Sequence, residues 1–189
     1  MPGPGPAPGD LAGLGIHHVD ALEHVAVVDQ LAGRDGGGEA PAVMFHDASG
    51  AAQIEAYIAA EMPERVLPVE LEEIGSVGMD TWFACLAYGA SSVVLLGSEE
   101  TPARVTAELD RQIVYARAVM GGLGMADEAI QRLNADEESA VRAGLSSLPD
   151  HCVAKPARFE APDEKRTILK FSIDHLHKQS SAGKRSVAL

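Results

Sequence analysis

The chain has 189 residues, 46% of them hydrophobic and only 4% aromatic, with a formal net charge of −13. That length suits one compact domain plus tails, with a core filled by aliphatic side chains and alanine. The charge disfavours nucleic acid and anionic lipid as partners and suits docking to a basic surface. No apolar run approaches the roughly 20 residues of a membrane span. The opening Met1-Pro2-Gly3-Pro4 has neither the basic nor the apolar region of a secretory signal, so a cytoplasmic protein is expected. Two isolated cysteines, Cys85 and Cys152, do not make a disulfide framework.

In chain order, residues 1–18 are a Pro/Gly-rich stretch that buries too little apolar surface to order itself. Residues 19–32 carry Ala21, Val25, Val28 and Ala32 at helical spacing, and Gly36-Gly37-Gly38 breaks the pattern. Ala42 to Phe45 reads as a short apolar strand, with a turn at 46–50 and a helix over 50–61 that turns Ile54 and Ile58 inward. Val66, Leu67, Val69 and Leu71 form a second strand, and Pro68 places it near a sheet edge. After Gly75-Ser76-Val77-Gly78, a helix presents Met79, Trp82, Phe83, Leu86 and Ala90 as a core stripe and ends at Gly89. Val93 to Leu96 is apolar without alternation, the pattern of a strand covered on both faces.

Thr101-Pro102 has the form of an N-cap followed by a first-turn proline. The next helix buries Val105, Leu109, Ile113, Ala116, Met120 and Leu123, with Gly121, Gly122 and Gly124 as its stop. A weak strand near 129–133 follows, and Asn134 with Glu137 has capping-box spacing ahead of a helix to about Ser147. Residues 148–162 read as a linker and 163–179 as a last helix with Ile168, Leu169, Ser172, Ile173 and Leu176 on one side. The basic tail 180–189 is expected to be flexible. Strands separated by helices imply an α/β fold: a small, mostly parallel four-stranded sheet in a three-layer flavodoxin-like sandwich, spanning 19–147, with extra N- and C-terminal helices.

From Glu73 to Asp80, Glu-Ile-Gly-Ser-Val-Gly-Met-Asp resembles a turn of the delta-subunit family of methyl-viologen-reducing hydrogenases. That family carries Cys-x-Gly-Arg-Val-Asp-Pro after a strand, then a helix ending in Gly-Ala-Asp, a Val-rich strand and a Gly-Cys turn. Gly75, Val77, Gly89-Ala90 and Gly97 match. The resemblance implies a place beside electron transfer between hydrogenase and heterodisulfide reductase, through a two-iron cluster held by the family's cysteines. Glu73, Ser98 and Ala103 stand at those ligand positions here, and a carboxylate, a hydroxyl and a methyl do not replace thiolates. The run Glu73–Trp82 with Tyr88-Gly89-Ala90 is more similar to a narrower group, the cysteine-poor central domain of large bacterial four-iron ferredoxin-type proteins. Lys165-Arg166 and its helix match the connector that precedes the last ferredoxin motifs in that group, and the resemblance spans roughly residues 20–178. The flanking ferredoxin cysteines are absent, so the chain is expected to be the central module alone, from a split gene or a truncated relative.

Several side chains carry candidate chemistry. His46, Asp47, Gly75, Ser76, Gly78 and Asp80 belong to a rim at 46–50, 73–80 and 97–102, where open α/β sheets bind ligands. Backbone amides at 75–78 attract anions, although Gly-x-x-Gly is neither a dinucleotide fingerprint nor a P-loop. Glu70, Glu72, Glu73 and Asp80 have the composition of an acid–base or hard-cation cluster but lack an evident nucleophile. His46 with Asp47 and Ser49 or Ser98 is the only hydrolase-like set, and no Gly-x-Ser-x-Gly elbow supports it. His17-His18, His151-Cys152 and His175-x-His177 lack zinc-site spacing, so no metal site is assigned. The leading expectation is a non-catalytic scaffold or docking module of an iron–sulfur electron-transfer protein, accessory to an oxidoreductase rather than itself an enzyme. It binds no cofactor, its clusters lie in a partner or a missing flanking module, and its partners are ferredoxin-type modules or redox subunits. Its exposed apolar surfaces are expected on the first or last helix, with homo-oligomerisation left open. The alternative is a flavodoxin-like binder of flavin or nucleotide at the rim.

Overall fold

The computed structural model describes residues 41–54, 62–150, 153, 155–159 and 164–180. The expected helix at 19–32, the tails at 1–18 and 181–189, residues 55–61 of the 50–61 helix, His151 and Cys152 lie outside the described residues. Four strands, β1 (Ala42–His46), β2 (Val66–Glu70), β3 (Ser92–Gly97) and β4 (Ile130–Asn134), make one parallel sheet in the order β2-β1-β3-β4. Phe45 is level with Val69 on one side and Leu95 on the other. This is the flavodoxin-like winding: the chain moves outward from β1 to β2, then crosses back to β3 and β4. Pro68 lies on the edge strand β2, where a missing ladder donor is tolerated.

Alternate residues of each strand feed two apolar layers. Val43, Phe45, Val69, Val93 and Leu95 pack under α2 (Met79–Ala87), α3 (Ala103–Leu123) and α5 (Lys165–Gln179). Ala42, Met44, Val66, Val94 and Leu96 pack with Val141 and Leu145 of α4 (Glu138–Ser146), and with Ile54 just after α1 (Ala48–Gln53). The result is three layers, helix–sheet–helix.

Helix α2 is buried around its whole circumference, not along one stripe. Thr81, Ala84, Cys85 and Ala87 are as enclosed as Trp82, Phe83 and Leu86. The cause is α5, whose Ile168, Ser172 and Leu176, four residues apart, are buried in the same layer as α2. Full burial of Ile168 and Leu176 contributes about 1.5–3 kcal/mol each. The last helix therefore does not offer its apolar stripe to a partner, as the sequence had suggested. Nor is the segment before it a free linker throughout. Ala157 N–H donates to Ala87 O at 2.7 Å, the Tyr88 hydroxyl donates to the Phe159 carbonyl, and the Phe159 ring stands between Tyr88 and Phe171. His175 Nε2 lies 2.8 Å from Lys155 O, which accounts for one histidine of the His175-x-His177 pair, while His177 is exposed.

Three helix ends differ from the sequence expectation. Pro102, not Thr101, is the N-cap of α3, and Thr101 Oγ1 instead accepts the Ser98 N–H at 3.0 Å, closing a four-residue turn. Helix α3 runs through Gly121 and Gly122 and stops at Gly124, whose φ of 71° supplies the left-handed cap. Asn134 and Glu137 form no capping box. Glu137 is itself the N-cap of α4, and Asn134 Oδ1 accepts the Asp136 N–H in a tight turn. Gly89, at φ 113°, ends α2 as its position predicts.

Candidate functional site

Parallel strands put all four carboxyl ends at one rim, and the outward and return paths part between β1 and β3. That is where such sheets place ligands. The three sequence-predicted rim segments meet there. Asp47, immediately after β1, accepts the Ser49 N–H at 3.1 Å and the Ser49 hydroxyl at 2.5 Å through Oδ1, and the Ile74 N–H at 3.3 Å through Oδ2. It thereby caps α1 and ties the β2 connection to β1. Ser98, after β3, donates to Ser49 Oγ at 2.7 Å and accepts the Glu100 N–H at 3.2 Å. Asp136, after β4, accepts the Glu99 N–H at 2.7 Å and Gln53 Nε2 at 3.2 Å. One network thus runs from Ser98 through Ser49 to Asp47 and on to Ile74, with a second from Gln53 through Asp136 to Glu99.

This geometry does not assemble a hydrolase. His46 is 7% exposed, and its Nδ1 faces the Asp47 backbone oxygen at 3.1 Å, not the carboxylate. The carboxylate is spent on Ser49 and Ile74, so no base is oriented by it. Ser49 bonds to Asp47 and to Ser98, and Ser98 also accepts the Glu100 N–H, the roles of capping and turn residues.

The glycine turn is filled from α3. It forms a 3-10 turn over Ile74–Ser76, and a Cβ at Gly75 would stand 2.9 Å from Val105 Cγ1. A Cβ at Gly78 would meet Asp80 Oδ1 at 3.0 Å and Gln112 Oε1 at 3.4 Å. The glycines here allow close approach of α3. Asp80 occupies the first turn of α2, so a carboxylate already faces the positive end of that helix.

Charge is the dominant property of the rim. Asp47 follows β1; Glu70, Glu72, Glu73 and Asp80 end β2 and follow it; Glu99 and Glu100 follow β3; Asp136, Glu137 and Glu138 follow β4. No Lys or Arg lies at 47–53, 71–91, 98–103 or 135–141; Arg104 opens α3, and Arg142 of α4 pairs with Glu138 at 2.5 Å. A phosphate entering here would meet carboxylates on every side. Sequence reasoning singled out the β2 acids but not Asp136, Glu137 and Glu138, because only the sheet order brings the β4 connection to the same rim.

The positions that hold a cluster in the family resembled do not fit one here. Glu73 is an exposed carboxylate, the Ser98 hydroxyl is engaged by Ser49, and Ala103 is an exposed methyl. Cys85 lies inside α2, and burial pushes its thiol up to about 12, which keeps it protonated and unsuited to ligate iron. Among the described residues, no three His, Cys, Asp or Glu side chains converge on a metal site, and no helix is long and apolar enough to cross a membrane. Comparisons with protein-family models and with curated proteins return no match.

Proposed function

We propose that this chain is a non-catalytic scaffold or docking module that serves an iron–sulfur electron-transfer protein from the cytoplasm, and that its rim is the docking surface. The observation that carries the reading is the state of the rim: Asp47, Ser49, Ser98 and Asp136 are bonded within it, and Glu73, Glu99 and Glu100 are exposed carboxylates beside them. Such a surface repels flavin phosphate and nucleotides and matches a basic protein face. The redox setting rests on the resemblance of Glu73–Asp80 and Tyr88–Ala90 to hydrogenase delta-like domains, whose ligand positions here hold Glu73, Ser98 and Ala103. Partners of that kind are ferredoxin-type modules or redox subunits that carry the clusters themselves.

The test has two arms. Anaerobically purified chain is analysed for iron and acid-labile sulfide, and its melting point is followed with FMN and a nucleotide panel. The proposal expects sub-stoichiometric iron and no shift. Stoichiometric iron and sulfide, or a saturable shift with a flavin or nucleotide, overturns it.

A further inference from the structure

The outer face of α5 has the opposite character to the rim. Lys165, Arg166, Lys170 and Lys178 are exposed, and none makes an ion pair with another described residue. Asp174 is the only acid within the helix. In a chain of net charge −13, this helix is a basic island. Phe171 is 41% exposed in the middle of it. Its ring is not loose: it meets Phe159 edge-on at 5.7 Å, and Phe159 in turn packs on Tyr88 at 5.2 Å. A fixed, part-exposed aromatic on a helix that also exposes four unpaired cations has the make-up of a contact surface for an acidic partner.

We infer that this face docks onto the acidic rim of a second copy of the chain. Charge complementarity within one molecule supports this: exposed Glu73, Glu99 and Glu100 stand at the rim, and α5 exposes four unpaired cations and Phe171. Two different patches meet, so the contact is head-to-tail. Exposed ion pairs are individually weak and screened by salt, so the association is weak and salt-sensitive. The inference rests on the rim acting as a docking surface, and its test separates the two.

Sedimentation velocity of the full chain is compared at about 20 mM and about 500 mM salt, where the Debye length falls from roughly 20 Å to about 4 Å. Self-association at low salt is expected, weakened at least about tenfold at high salt. Arg166→Glu/Lys170→Glu, on the helix, and Glu73→Lys/Glu100→Lys, on the rim, are each expected to be monomeric alone. Mixed, they are expected to associate, because one supplies an intact rim and the other an intact helix face. Phe171→Ser weakens association with its salt dependence retained. The four charged sites are exposed, and unchanged melting points of the charge variants confirm intact folds; Phe171→Ser loses its contact with Phe159 and is read only at temperatures where circular dichroism shows it folded. A wild-type chain that stays monomeric at low salt overturns the inference, as does a helix variant that still self-associates or a mixture that does not associate. Titration with an oligolysine peptide reads the rim alone. If the peptide binds wild type but not Glu73→Lys/Glu100→Lys while the chain stays monomeric, self-docking fails and the rim stands as a docking surface.

Discussion

Replacing Asp47 by alanine tests whether this residue joins elements or performs chemistry. Asp47→Ala removes the N-cap of α1, a loss of about 1 kcal/mol. It also removes the acceptor of the Ile74 N–H, in a residue only 1% exposed, and an orphaned buried donor costs about 1–3 kcal/mol. The Ser49 hydroxyl reorients toward Ser98 at little cost. The sum is roughly 3 kcal/mol, which at about 2–4 °C per kcal/mol for a domain of this size lowers the melting point by about 6–12 °C. Asp47→Asn restores the cap but turns an amide toward the Ile74 N–H, so it should recover only the first part, about 1 kcal/mol. Urea and thermal unfolding followed by circular dichroism measure all three proteins. Ser98→Ala added to Asp47→Ala should cost at least as much as it does alone, because Ser98 is then the remaining partner of the Ser49 hydroxyl. A melting point for Asp47→Ala within about 2 °C of wild type, or equal losses for the alanine and asparagine variants, refutes the reasoning.

The other predictions concern the core. Ile168→Ala or Leu176→Ala should cost about 2–5 kcal/mol. Either should also red-shift the emission of Trp82, the single tryptophan, which shares the buried layer with both residues; an unshifted spectrum in a destabilised variant would mean that α5 does not shield α2. Gly89→Ala forces a side chain into φ 113° and should lose about 1–2 kcal/mol, read from the urea midpoint. Cys85 should resist a thiol reagent in the native protein and react on unfolding, as mapped by mass spectrometry. Its thiol is raised on folding to about 12, so the stability it contributes is complete below the ordinary thiol value near 9 and is lost as pH rises toward 12. Between those limits the wild type should lose stability more steeply than Cys85→Ala, and parallel profiles would contradict the burial argument.

Much of the fold was legible in the residues. Val93–Leu96, apolar without a break, is a central strand with both faces covered, and Pro68 sits on an edge. Gly89 ends a helix in a conformation that glycine tolerates. These are local consequences of side-chain chemistry, and periodicity reports them. The caps were less legible. Thr101 and Asn134 have the composition of N-caps, but each is drawn into a turn by a backbone amide within three residues. Short polar side chains choose among several nearby donors, and spacing alone does not rank them.

The site divides in the same way. Amino-acid sequence alone determined which groups are present: no thiol at 73, 98 or 103, glycines at 75 and 78, and acids clustered after the second strand. It also determined that the strands alternate with helices, since burying each apolar face requires it. Tertiary structure decided which groups meet. Strand order brought the acids after β4 beside those after β2 and β3, linked Ser98 through Ser49 to Asp47, and turned His46 away from that carboxylate. It also laid the last helix against α2, burying its stripe and leaving Lys165, Arg166, Lys170 and Phe171 outside. Those contacts join residues far apart in the chain. Their free energy comes from shared burial and from hydrogen bonds that exist only once the sheet has assembled, and no local pattern encodes it.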